Sequence, residues 1–148
     1  MYRNVIVGTD GSDTAGAAVR HAAGVAVAAG ARLIVVTAYQ PDTDAEEARA
    51  AGAPEEVRWE LTDGAEADRI ARTAKDQARE QGVDKVVVRA ERGRPAEAIL
   101  EASREFDADL IVVGSVGMTS SARFLMGSVA NAITHRAPCD VLVVRTET

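Results

Sequence analysis

Five short apolar runs, each rich in β-branched residues, set the strongest limit on how this chain can fold. The runs are continuous and do not alternate with polar residues, which is the pattern of strands whose two faces are both covered. Such strands are typical of a parallel sheet packed between two layers of helices. The runs are Val5–Val7, Leu33–Val36, Val86–Val88, Leu110–Val113 and Val141–Val144.

Segments with helical periodicity separate these runs. Gly30 follows the first segment as a candidate C-terminal cap. Pro95 opens the third, which we expect to bury Ile99, Leu100 and Phe106. The resulting order, β-α-β-α-β-α-β-α-β, predicts a doubly wound α/β fold in which a five-stranded parallel sheet carries helices on both faces. The helical segments are residues 13–29, 64–81, 94–106 and 128–136. Residues 40–62 are acidic and predict a long connection with one short helix around Ala45–Ala51.

Length, charge and cysteine content limit the number of domains, the partners and the compartment that we expect. The 148 residues fit a single domain, residues 1–148. The chain has 17 basic and 23 acidic residues, a net charge of -6, which disfavours nucleic acid as a partner because that affinity comes mainly from Lys and Arg on phosphates. Cys139, the only cysteine, indicates a reducing compartment. With no secretory signal and no apolar stretch of roughly 18 residues, we expect a cytoplasmic protein without a membrane partner.

Glycines mark the ends of two predicted strands. The first strand ends in Gly8–Ser12, the fourth ends in Gly114–Gly117, and Gly127 begins the last helix. Ligands of open parallel sheets bind beyond the carboxyl ends of strands, where the winding direction reverses. We therefore expect the first and fourth strands to be neighbours at that reversal. A simple turn with a helix cap is the alternative interpretation of Gly8–Ser12.

The residue types at these strand ends are suited to a nucleotide. A helix that begins with Gly127 and Ser128 presents backbone N–H groups to an anion, and glycine lets the backbone approach a ligand closely. Asp10 can accept hydrogen bonds from ribose hydroxyls. The end of the second strand, Thr37–Tyr39, offers main-chain groups for an adenine edge.

The spacing Gly114-x2-Gly117-x9-Gly127-Ser128 resembles the nucleotide-binding signature of the universal stress protein family. The opening VIVGTDGSDTA and the closing GSVANAITHRAPCDVLVV also resemble that family, so the resemblance covers essentially the whole chain. It implies strand order 3-2-1-4-5, a homodimer joined through Val141, Leu142, Val143 and Val144, and binding of ATP or a related adenine nucleotide.

The resemblance also implies roles for individual residues. Asp10 would contact the ribose and Ala38 the adenine. The glycines after the fourth strand would line the ribose and phosphates, and the first residues of the last helix would hold the phosphates. The residues predicted to bind nucleotide are Gly8, Thr9, Asp10, Ala38, Gly114, Gly117, Arg123, Gly127, Ser128 and Val129. Arg123 is the sole cation among residues 118–126, where many family members carry several. We therefore expect AMP or cyclic AMP to compete with ATP unless Mg²⁺ accompanies the phosphates.

Other functions need residues that these strand ends lack. A P-loop lysine is absent, and no Ser-His-Asp or Cys-His spacing is present, so no catalytic residue is predicted. No protein metal site is predicted either, because the carboxylates of residues 42–47 have no ordered ligand spacing. A phospho-acceptor receiver domain needs an Asp after the third strand, where this chain has Arg89-Ala90-Glu91. The sequence favours a stress-response regulator that acts by binding nucleotide. A slow ATP hydrolase and a nucleotide-free dimerisation module are the alternatives.

Overall fold

The computed structural model describes residues 1–39, 63–115 and 127–146. The helix expected around Ala45–Ala51 lies outside these residues. The described strands are β1 (Asn4–Gly8), β2 (Arg32–Tyr39), β3 (Val86–Arg92), β4 (Leu110–Gly114) and β5 (Asp140–Val144), and the described helices are α1 (Asp13–Ala29), α2 (Asp63–Glu80), α3 (Pro95–Glu105) and α4 (Ser128–Arg136). The predicted alternation is confirmed, and the bounds of α2 and α3 differ from the predicted ones by one residue at each end.

The described strands form one parallel sheet in the order β3-β2-β1-β4-β5, which confirms the order that the family resemblance implied. The central strand β1 pairs with β2 on one side and with β4 on the other. The chain first winds outward from β1 through β2 to β3, and then crosses back to β4 and β5. The winding direction therefore reverses at β1 and β4, the two strands with glycines at their ends.

Both faces of the sheet are covered, as the continuous apolar runs predict. Val5 and Val7 point into a cluster with α1 and α2, and Ile6 between them points into a second cluster with α3 and α4. Since successive side chains of a strand point to opposite faces, every residue of the apolar runs in the three inner strands, β1, β2 and β4, is buried. None of the described helices is long and apolar enough to cross a lipid bilayer.

Alanine brings the helices close to the sheet. The buried side of α2 consists of Ala67, Ala71, Ala74 and Ala78, spaced three or four residues apart. These small side chains add little volume, so the branched residues of the strands fill most of the core. The chain can therefore build a dense interior although only 3% of its residues are aromatic.

The expectation that α3 buries Ile99 and Leu100 is confirmed, but the expectation for Phe106 was wrong. Its side chain is only partly buried, because it follows the end of α3 and lies at the rim of the core. The guanidinium groups of Arg32 and Arg89 each lie 5.0 Å from the centroid of its ring. A ring face attracts cations at this distance, so the residue joins α3 to β2 and β3 through cation–π contacts.

Left-handed caps turn the chain from helices into strands. Gly30 has φ of 66°, and the next N–H, that of Ala31, donates to the Ala26 carbonyl at 2.8 Å. Asp107 adopts φ of 49° after α3, and the N–H of Ala108 donates to the Ser103 carbonyl at 2.9 Å. Both are the six-to-one hydrogen bonds of Schellman motifs. The predicted cap at Gly30 is therefore confirmed, whereas the Asp107 cap carries no glycine signal in the sequence.

An ion pair joins the exposed sides of α3 and α4. Both terminal nitrogens of Arg136 donate to the carboxylate of Glu97, at 2.6 and 3.0 Å. The hydrogen-bonded guanidinium lowers the pKa of the Glu97 carboxyl below its ordinary value. Since the folded-state pKa is the lower one, this pair stabilises the fold above the ordinary glutamate pKa, and its contribution is lost as the pH falls through the lowered value.

We expect Glu97→Gln to unfold at lower urea concentration than the parent at pH 7, because the variant lacks the carboxylate that Arg136 binds. The difference between the two urea midpoints should close as the pH is lowered below the ordinary glutamate value of about 4.3. Urea titrations followed by circular dichroism at a series of pH values measure this.

Glu101→Gln is the matched control, because Glu101 is an exposed carboxylate of the same helix with no ion pair to another described residue. A Glu101→Gln midpoint that moves with pH as much as that of Glu97→Gln would contradict the assignment.

Candidate functional site

The strand β1 ends before its two neighbours do. Its last registered pairs are Gly8 with Val36 of β2 and Val7 with Val112 of β4. Beyond these pairs β2 continues to Tyr39, and β4 extends past Val112 to its own end. The result is a recess in the carboxyl edge of the sheet, called the β1 notch here, with the end of β1 as its floor. The predicted pairing of the first and fourth strands is therefore confirmed, and it creates this recess.

The main chain of Ala38 faces the β1 notch from the side of β2. Along β2, the Val36 carbonyl accepts from the N–H of Thr9 at 3.0 Å, toward β1, and the Tyr39 carbonyl accepts from the N–H of Gly93 at 2.8 Å, toward β3. Main-chain groups of successive strand residues point to opposite neighbours. Ala38, two residues after Val36, therefore directs one donor and one acceptor toward β1 at a level that β1 does not reach.

Gly114 faces the notch from the opposite side. The N–H of Ser115 donates to the Val144 carbonyl of β5 at 2.7 Å, so the main-chain groups of Gly114, one residue earlier, point toward β1. The fold thus places Ala38 and Gly114, two of the residues predicted to bind nucleotide, on opposite walls of one recess. Gly117 and Arg123 lie outside the described residues.

A tight turn forms the floor of the notch. The N–H of Gly11 donates to Thr9 Oγ1 at 3.1 Å, and the N–H of Ser12 donates to Asp10 Oδ1 at 2.9 Å. Ser12 then caps α1 by accepting the N–H of Ala15 at 3.1 Å. The Asp10 carboxylate is exposed and oriented through one oxygen, and Oδ2 has no hydrogen bond to another described residue. This oxygen is the acceptor that a ligand hydroxyl can reach.

The start of α4 supplies free amides. Gly127 is the N-cap, with φ of -62° and ψ of 162°, and its N–H donates to the Ser115 carbonyl at 2.7 Å. The sequence predicted that this amide would bind an anion, but in the structure it is already hydrogen-bonded to Ser115. The N–H groups of Ser128 and Val129 have no hydrogen-bond acceptor in the described part of the chain. These two amides, at the positive end of the helix dipole, remain for an anion.

Ser115 is a residue that sequence reasoning missed. Its N–H and carbonyl bind Val144 and Gly127, and its Oγ accepts the N–H of Thr146 at 3.1 Å. It thereby joins the end of β4 to the start of α4 and to the residue pair that follows β5. The only signal in the sequence is its place between two glycines of the signature.

A second recess adjoins the β1 notch. It encloses about 510 Å³ between α1 and α2, and its walls include Thr9, Arg20, Arg69 and Ile70. Gly11, with φ of 83°, borders it, and a Cβ at this position would lie 3.1 Å from the side chain of Ile70. Gly11 is therefore accounted for by its turn and by the packing of α2, without a ligand.

The end of β2 also carries an unsatisfied polar atom. Thr37 is 2% exposed, and its Oγ1 has no hydrogen-bond partner among the described residues. Buried hydroxyls without a partner are rare in folded proteins. Thr37 directly precedes Ala38, so this buried hydroxyl, which has no partner among the described residues, lies at the strand end beside the notch.

The described residues offer no protein site for a metal ion. Within residues 1–39, 63–115 and 127–146, no group of three or more His, Cys, Asp or Glu side chains lies close enough together to hold a metal ion. Burial raises the pKa of the Cys139 thiol, which directly precedes β5 and packs, partly buried, against the cluster of α3 and α4. The thiol is therefore protonated at neutral pH, as is typical of a packing residue.

Comparisons with known proteins agree with this architecture. A model of the universal stress protein family matches residues 1–145. A universal stress protein of Mycobacterium tuberculosis is 41% identical over 145 residues, which are 98% of this chain and 97% of that protein. A crystal structure of a universal stress protein in complex with cAMP is 38% identical, has a TM-score of 0.74 and covers 99% of both chains. A universal stress protein from Lactobacillus plantarum is 27% identical with a TM-score of 0.70, over 97% of this chain and 98% of the other.

Proposed function

Because the chain belongs to the universal stress protein family, we propose that it binds an adenine nucleotide in the β1 notch and acts by binding rather than by turnover. The observation that carries this proposal is the pair of main-chain walls, Ala38 and Gly114, facing each other across the end of β1. The relative that is 38% identical and was crystallised with cAMP supports the same ligand class. In this role the protein is a cytoplasmic regulator of a stress response.

The adenine base fits the wall formed by β2. Ala38 presents an acceptor and a donor side by side, and the Watson–Crick edge of adenine presents the complementary amino group and ring nitrogen. Asp10 Oδ2, on the notch floor, would then accept a hydrogen bond from a ribose hydroxyl. Gly8 and Thr9 complete the floor beneath the sugar.

The phosphates fit the start of α4. The free amides of Ser128 and Val129 can hold one phosphate, and the helix dipole adds to the attraction. Gly114 and Gly117 would border the path from ribose to phosphate. Among residues 118–126 the chain offers Arg123 as its only cation, and the net charge of -6 repels a polyanion. Adenine, ribose and the first phosphate should therefore supply most of the affinity.

We expect AMP and cyclic AMP to bind within about tenfold of ATP in the absence of Mg²⁺, a difference of less than about 1.4 kcal/mol. Mg²⁺ should favour ATP by neutralising its outer phosphates. Calorimetric titrations of the three ligands, with and without Mg²⁺, measure this.

IMP serves as the control ligand, because it replaces the adenine amino group with a carbonyl that would face the Ala38 carbonyl. IMP binding as tightly as AMP would contradict the base assignment, and ATP binding about a hundredfold tighter than AMP without Mg²⁺ would contradict the charge argument.

Ser128→Pro tests the phosphate site. Proline is well suited to the first position of a helix, and Gly127 already has the extended backbone that a residue before proline prefers. The variant should keep its fold, lose one free amide and bind AMP about tenfold more weakly. Adenosine, which has no phosphate, should bind the variant and the parent equally.

Ser128→Ala separates the amide from the hydroxyl, since it removes only the latter. If calorimetry finds that Ser128→Pro and Ser128→Ala bind AMP alike, the amide does not hold the phosphate.

We further propose that two copies of the chain pair through β5. Within the described sheet β5 is an edge strand that pairs with β4 alone. Val144 directs its carbonyl toward β4, so by alternation the main-chain groups of Val141 and Val143 face the open edge. Leu142 is 37% exposed beside them. An apolar edge of this kind invites pairing, and an isologous strand pair would satisfy it with two-fold symmetry.

We expect the parent protein to be a dimer at micromolar concentration by light scattering, and Val143→Pro to be a folded monomer, because proline removes an N–H from the open edge alone. Leu142→Pro is the contrasting variant: its N–H faces β4, so the change should destabilise the subunit itself. A monomeric parent, or a Val143→Pro dimer, would disprove pairing through β5.

A further inference from the structure

We propose that Thr146 is a positioning residue for the nucleotide site, and that position 114 is glycine in order to make room for Thr146 rather than for the ligand. This inference rests on the proposed function, because the site that Thr146 positions is the β1 notch with the start of α4. It assigns a role to the residue pair after β5, which lies far in sequence from the end of β1.

The first observation is the contact between positions 114 and 146. A Cβ added to Gly114 would lie 3.0 Å from Cγ2 and 3.5 Å from Oγ1 of Thr146, and the three nearest atoms within 4 Å all belong to Thr146. The main-chain groups of Gly114 point sideways toward β1, so its missing side chain would point out of the sheet and away from the notch. The backbone of Gly114 has no positive φ that would demand glycine. Space for Thr146 is therefore the reason for glycine at this position.

Thr146 has little freedom to yield. It is 6% exposed, and its N–H donates to Ser115 Oγ at 3.1 Å, with its own Oγ1 at 3.5 Å from the same atom. A methyl group on Gly114 would therefore push against a buried side chain that is tied to the next residue along the chain. The displacement would act on Ser115.

Ser115 passes such a displacement to the phosphate site. Its carbonyl accepts the N–H of Gly127 at 2.7 Å, and Gly127 caps the helix whose next two residues carry the free amides. Three contacts in series thus connect Gly114 to these amides: Gly114 with Thr146, Thr146 with Ser115, and Ser115 with Gly127. Binding at a helix start depends on the direction of its N–H groups, so a small shift there lowers affinity for a phosphate.

The test is a compensating pair of substitutions. Gly114→Ala should bind AMP about tenfold more weakly than the parent. Adding Thr146→Ser, which removes Cγ2 and keeps the hydroxyl, should restore AMP affinity to within about threefold of the parent. Adding Thr146→Val, which keeps a γ-methyl group, should restore nothing. Calorimetry gives the affinity for AMP and for adenosine, and urea titration gives the stability of each ligand-free variant.

Ser115→Ala is a second, milder variant that removes only the acceptor of the Thr146 N–H. It should weaken the binding of AMP and leave the binding of adenosine unchanged, because the amides act on the phosphate. A general loss of structure would weaken the binding of both ligands. The inference is overturned if Gly114→Ala binds AMP as the parent does, if the Ser and Val substitutions at position 146 act alike, or if stability changes without any change in AMP affinity. A parent that binds neither AMP nor adenosine would instead overturn the proposed function, and this inference with it.

Discussion

The pairing of β1 with β2 on one side and with β4 on the other is the contact on which the molecule depends. Because β1 ends before either neighbour, the carboxyl edge of the sheet is recessed at its centre. Parallel pairing aligns all carboxyl ends at one edge, and the reversal of winding keeps α1 and α4 from closing over the centre. The recess at β1 is thus a result of topology, before any side chain contributes to it.

Most of the hydrogen-bonding groups that line this recess belong to the main chain. Among the described residues of the proposed site, Ala38, Gly114, Ser128 and Val129 offer main-chain N–H and carbonyl groups, and Asp10 offers its carboxylate. Main-chain positions are held by the sheet and by the helix start, so their geometry is rigid and varies little with sequence. A site of this type recognises hydrogen-bonding pattern and shape more than charge, which accords with the acidic balance of the chain.

Much of this arrangement could be predicted from the sequence because its signals are local. Continuous branched runs, Gly30 and Pro95 each mark an element by nearby residues, and glycines at two strand ends marked the reversal. The features that could not be predicted depend on contacts between residues distant in sequence. The Gly127 amide is taken by Ser115, and Gly114 packs on Thr146, 32 positions later in the numbering. No periodicity or spacing reports such pairs, since each is set by how β4, α4 and β5 meet.

The hydrogen bond from Gly127 to Ser115 also joins the two described residues on either side of residues 116–126. It holds the end of β4 next to the start of α4, so the two ends of the intervening sequence are close in space. Since the entropy of closing a loop rises by only about 0.6 kcal/mol for each doubling of its length, a longer or shorter sequence between Ser115 and Gly127 changes the free energy of unfolding little. The fold therefore tolerates insertions at this point far better than within β4 or α4.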